Sequence, residues 1–235
     1  ARGLATASGG RVLITDTRGS IWNGSGLLVL AGGAESRDAA SLPDRLHWQM
    51  SPQGLGGLRL SARQDCCING ELQLRIKPGF GRTEIAIDGT GKDWLLRWPA
   101  AVLAGLGTPW NTLQLGGTLR LQAQALQLDE AGGQWRQTGR LDVDLLNLSS
   151  RVSTLDPLGS YRMSLVGAPD GKGGSLQLST LEGALLLSGQ GGFGTGRRVQ
   201  FRGEATAAPG REAALDNLLN IIGRRQGARS VISIG

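Results

Sequence analysis

The chain has 235 residues and a formal net charge of +6. That length can bury a sizeable core, and one all-β domain over 1–235 is expected. No apolar run nears the roughly 18–20 residues that cross a bilayer. The basic residues are scattered singly, without the interleaved aromatics of base stacking; this excludes nucleic acid and favours a solvated face or a membrane-surface or acidic partner.

Period-two alternation begins at RVLITD (11–16) and LLVLA (27–31). The stretch 32–44, GGAESRDAASLPD, reads as a loop. Alternation resumes in RLHWQM (45–50), GGLRLSA (56–62), GELQLRI (70–76) and TEIAIDG (83–89). It continues in GGTLRLQAQALQLDE (116–130), GRLDVDLLNLSS (139–150), GSLQLST (174–180) and RRVQFRGEA (197–205). Glycine pairs separate many of these runs and supply the positive φ of hairpin turns. The pattern predicts about a dozen strands. The fold class is all-β and mainly antiparallel, a large curved sheet, sandwich or open trough with one wet face and two short helices.

Those helices are PAAVLAGLG (99–107), with Pro99 at its start and Gly107 at its end, and EAALDNLLNIIGRR (212–225). In the second, Leu215, Leu218, Leu219 and Ile222 form an i, i+3, i+4, i+7 stripe. Burial of that stripe is the expectation, with the arginines left wet. The alternative is a docking surface in which Arg211, Arg224, Arg225 and Arg229 face a partner. SVISIG (230–235) is a closing strand.

The search for chemistry returns nothing constellated. His47 is the single histidine, too few for a metal site or a Ser-His triad, and reads as a half-buried strand residue. GQGGFG (189–194) has the G-x-G-x-x-G spacing, but a strand rather than a helix follows, so it reads as a hairpin bend. DGKGGS (170–175) reads as a turn. Asp142 and Asp144 lie two apart on one strand and are placed on its solvent face. Trp94, Trp98 and Trp110 suggest core packing more than a sugar-stacking platform. No catalytic residue, cofactor site or metal site is assigned.

Cys66 and Cys67 are adjacent. Their Cα atoms are about 3.8 Å apart across a trans peptide, below the usual disulfide range, so a bridge requires a turn. DCCING (65–70), with Asn69-Gly70, offers one. In an oxidising compartment this favours a vicinal disulfide; free thiols or bonds between chains are the alternatives. The C-x-x-C spacing of redox catalysis is missing.

RGSIWNGSG (18–26), LHWQM (46–50), LGTPWNTLQLGGTLRL (106–121) and the tail from FRGEATAAPG (201–210) to the terminus together resemble the type II secretion system protein N family, also called general secretion pathway protein N. The resemblance implies the periplasmic domain of a protein anchored in the inner membrane by an N-terminal helix expected upstream. It implies a non-catalytic accessory or scaffold subunit whose partners are other secretion subunits, inner-membrane components or the secretin. The W-x-G opening followed by long alternating strands is also similar in style to AsmA-like proteins that shield lipid in a β groove, which makes a bound lipid the rival expectation. Oligomeric state and strand order are not legible.

Overall fold

The computed structural model describes residues 2–33, 35–54, 56–88, 93–194 and 199–235. Alternating side chains give, in order, β1 (Val12–Gly19), β2 (Asn23–Ala31), β3 (Ala39–Ser41), β4 (Leu46–Gln53), β5 (Gly57–Arg63), β6 (Leu72–Gly79), β7 (Arg82–Asp88) and β8 (Leu96–Pro99). After a 3₁₀ helix (Ala100–Leu106) come β9 (Leu115–Ala131), β10 (Gln134–Ser150), β11 (Gly159–Gly167), β12 (Gly173–Gly183), β13 (Leu185–Gly194), β14 (Val199–Ala207), β15 (Arg224–Gln226) and β16 (Arg229–Ile234). The α-helices are α1 (Arg2–Ala7), α2 (Trp110–Leu113) and α3 (Glu212–Ile222).

The strands form one antiparallel sheet, ordered β1-β2-β4-β5-β6-β7-β9-β10-β11-β12-β13-β14-β16-β15, with β3 added to β2 and β8 to β9. Register carries a single apolar face across it. Met50 pairs with Leu60, Leu60 with Leu74 and Leu74 with Ile87. Beyond β9, Leu121 pairs with Val143, Val143 with Met163 and Met163 with Leu178. Because the side-chain period is two, each neighbour on these strands points to the opposite, polar face.

Such a wide sheet curls. The pairing of β9 with β10 slips between Thr138 and Arg140 and again between Leu146 and Ser149. Ala125, Gly139, Gly117 and Asn147 have positive φ at these slips. Bulges of this kind bend a strand and deepen its twist. The curl brings Ser8, Gly9 and Arg11 into one cleft with Glu130, Gly133 and Trp135 at the β9–β10 tip. Five strands separate β1 from β9 in the sheet order.

The 3₁₀ helix crosses one end of the curl and touches β2, β3 and β9. Its Val102 packs with Leu28, Leu30, Leu42 and Cys67. Its Ala100 joins a second core with Leu148, Leu158, Tyr161, Leu185, Ala205 and the α3 leucines. One short helix therefore ties the two halves of the sheet together.

Four expectations are corrected. Segment 32–44 is not all loop, since Ala39–Ser41 adds to β2. The helix expected from Pro99 is present but starts at Ala100 and is 3₁₀, with Pro99 ahead of it in extended backbone. GQGGFG is the second half of β13, not a bend. A Cβ on Gly189 would lie 2.9 Å from Gly203 Cα and collide with the Phe201 ring, so Gly189 on β13 and Gly203 on β14 make room for that aromatic. The dozen strands become sixteen: β3, β8 and β15 are three or four residues long, and β11 and β13, of nine and ten residues, lie outside the alternating runs. Gly89, Arg197 and Arg198, at the ends of two expected strands, lie outside the described residues.

Candidate functional site

The charged cluster on the polar face is the most organised group of titratable side chains described. Asp142 and Asp144 were expected in solvent; both are buried. Asp144 is opposite Arg120 on β9 and Arg162 on β11. Arg162 Nε donates to Asp144 Oδ1 at 2.7 Å and Arg120 Nη2 donates to Oδ2 at 2.6 Å. Two strands supply cations across one carboxylate, so the flanking arginine stems cover it. Burial pushes the Asp144 carboxyl up, but the hydrogen bonds from Arg162 and Arg120 outweigh it and hold it below the usual carboxylate range. Asp142 is also held low, against burial, by Arg140 and the Ser164 hydroxyl. Every carboxylate oxygen of Asp144 faces a guanidinium, so this cluster works as a clamp across three strands; an acid-base pair needs a free face.

The α3 stripe is buried as expected. Leu215, Leu218 and Leu219 are buried and Ile222 packs beside them. Arg211 precedes α3 and Arg224 and Arg225 follow it, so the helix separates them by about 16 Å at 1.5 Å per residue. The four arginines therefore do not converge. Arg225 donates to Asp216 at 2.7 Å and to the Gly227 carbonyl. Arg229 bridges to Glu204 at 3.2 Å. Arg211 and Arg224 stay exposed. Gly223 ends α3 in extended backbone, where a Cβ would come within 2.6 Å of the Val231 carbonyl oxygen.

Cys66 and Cys67 are joined Sγ to Sγ within the turn that follows β5. Cys67 is buried in the core under the 3₁₀ helix, while Cys66 is half-buried. The turn is fastened from both sides. The Gln64 side chain donates to the Pro43 and Asp44 carbonyls. The Asn69 side chain donates to the Trp94 carbonyl, and the Arg97 N–H donates to the Cys67 carbonyl. This is how the segment leading into β8 is held on the sheet.

The tryptophans do not build a platform. Trp98 packs with the core under the 3₁₀ helix and Trp110 with the core under α3. Trp94 lies under Arg97, whose guanidinium carbon is 4.7 Å from the ring centre. His47 is exposed on β4, not half-buried, because it occupies the wet phase of the alternation. Among the described residues no group of three or more His, Cys, Asp or Glu is placed to hold a metal ion. No described helix is long and apolar enough to cross a membrane.

Sequence reasoning missed two surface features. The apolar face is closed by helices only at one end; Leu60, Leu74, Val143, Met163 and Leu178 remain half-buried along it. The outer edge of β16 is also open: β15 covers Arg229–Val231 only, leaving Ile232 to Ile234 without a strand neighbour on that side among the described residues.

A profile of the family described as Type II secretion system (T2SS), protein N matches residues 10–232. Searches of curated proteins and of solved structures return no match.

Proposed function

The chain belongs to the type II secretion system protein N family, and from that premise we propose that it is a non-catalytic scaffold working through protein–protein contacts in the periplasm. As a member it is an accessory component of type II secretion. The finer reading names its partners as other secretion subunits, inner-membrane components or the secretin, and its setting as a periplasmic domain tethered to the inner membrane.

The observation that carries this reading is the open edge at Ile232–Ile234, next to the end of α3 and the exposed Arg224. An unpaired strand edge accepts an extended partner segment through its free N–H and C=O groups. An adjacent cation selects acidic segments and speeds encounter. The core under α3, against which Ile232 packs, backs that edge. Secretion by cells carrying Arg224→Glu tests the role: impaired export with normal protein level is expected, and unimpaired export with Arg224→Glu and Arg211→Glu together would remove the arginines from it.

The half-buried apolar face favours a second reading, a groove that shelters a hydrophobic ligand. Native mass spectrometry after gentle purification decides it: a homogeneous unliganded mass with no uptake of fluorescent lipid would eliminate this reading.

A further inference from the structure

Hairpin turns are ordinarily polar, because Gly, Asn, Asp and Ser supply their geometry. Two turns here break that rule. The β1–β2 turn exposes Ile21 by 67% and Trp22 by 50%, and the β6–β7 turn carries Phe80 wholly in solvent. Phe80 stands between Gly79 and Gly81, so its chain neighbours have no side chains to shelter it. Both turns lie at the same end of the strands. The Trp22 carbonyl accepts from the Met50 N–H on β4, which runs on to its own turn at that end. Gly79 pairs with Arg82 there as well.

Behind Ile21 an apolar groove of about 440 Å³ runs inward between Leu4, Ile14, Leu46, Trp48, Met50 and Leu60. Leu4 of α1 lies over it and is itself exposed. Each turn has a cationic flank. Arg18 and Arg45 share the single carboxylate of Asp16. Arg75, Lys77 and Arg82 line one cleft together with Glu84 and Asp129. At the β1–β2 turn two guanidiniums thus share one carboxylate.

We propose that this edge of the sheet seats on an anionic lipid surface. Ile21, Trp22 and Phe80 enter the boundary between headgroups and acyl chains, and the flanking cations engage lipid phosphate. An indole at the end of a turn suits that boundary, with an apolar body and one N–H to satisfy. Paired apolar insertion and basic attraction is what holds peripheral proteins to such surfaces. A protein partner is the weaker fit: these side chains project as separate points, whereas a stable protein interface needs about 800 Å² of contiguous surface on each side. The inference does not depend on the scaffold reading, since vesicles contain no secretion subunits.

Co-sedimentation of the 235-residue chain with phosphatidylglycerol–phosphatidylethanolamine vesicles, against pure phosphatidylcholine vesicles, tests it. Binding to the anionic vesicles is expected at physiological salt. It should fall about tenfold or more in the triple variant Ile21→Ser, Trp22→Ser, Phe80→Ser. An unchanged thermal midpoint confirms that the variant folds. Absence of binding overturns the proposal. So does binding that the triple variant retains but high salt abolishes, which would be the net charge acting alone. Should the triple variant fail to fold, bromolipid quenching of tryptophan fluorescence takes its place. Trp22→Phe should remove most of the quenching seen with the natural chain; undiminished quenching refutes the insertion.

Discussion

Asp144 is the residue on which the polar face turns. Its carboxylate is out of solvent, yet the guanidiniums that clamp it are about a quarter and a third exposed. Breaking a wholly buried pair costs about 3–5 kcal/mol. Water around the arginines screens part of the interaction. Asp144→Asn is therefore expected to lower unfolding free energy by about 2–3 kcal/mol, as a drop in urea midpoint with an unchanged slope. The pH dependence has a definite sign. The carboxyls of Asp142 and Asp144 are held below their ordinary value in the folded chain. The unfolded chain thus binds protons first as pH falls. Their contribution is full above about pH 4, the unfolded aspartate value, and is lost as pH drops through the lower folded values. Urea midpoints measured from pH 6 down to pH 2 should fall in that window, and fall less in Asp144→Asn.

The cysteine pair makes a prediction at the same scale. Protein purified without reductant should have an intact mass lower by two hydrogens than after reduction, and should not react with an alkylating agent before it. Alkylation of both thiols in the unreduced, folded protein would show the turn to be held by its hydrogen bonds alone.

Among elements, α3 decides whether the terminal leucines serve the core or a partner. Leu218 is buried with Leu158, Tyr161 and Leu185. Tyr161 donates its hydroxyl to the Leu185 carbonyl at 2.9 Å, so this core has little tolerance for a second polar group. Leu218→Ala should cost about 2–5 kcal/mol, and Leu218→Asp should leave no cooperative melt at ordinary temperature. A variant that melts normally but has lost a partner would return the stripe to the surface. β13 offers an independent check. Gly189→Val places a branched side chain against the Phe201 ring and Gly203, so destabilisation by about 1–3 kcal/mol is expected from overpacking, with Phe201→Ala relieving part of it in a double-mutant cycle.

For the whole molecule, alternation in the sequence was enough to read a large antiparallel sheet and its wet and dry faces, because a pleated strand shows its period directly. The leucine spacing of α3 was equally legible. What escaped had physical reasons. The strands of three or four residues are too short for a period to show. Gly189 and Gly191 look like a bend because what they accommodate, the Phe201 ring at Gly189 and the Gln200–Phe201 backbone at Gly191, is on another strand. Asp144 looks solvent-facing because the arginines that cover it come from β9 and β11, and Asp142 because the Ser164 hydroxyl that meets it comes from β11. The open β16 edge and the uncovered apolar stripe depend on which strands end early, which no local pattern records.

Those surfaces lead to the central claim, that the sheet serves type II secretion by contact. Site-specific photo-crosslinking from Ser233, on the free half of β16, in intact cell envelopes tests it most directly. Adducts with secretion subunits are expected from Ser233 and not from Leu158, buried beneath α3. Ser233 yielding no subunit adduct in envelopes competent for secretion would contradict the account.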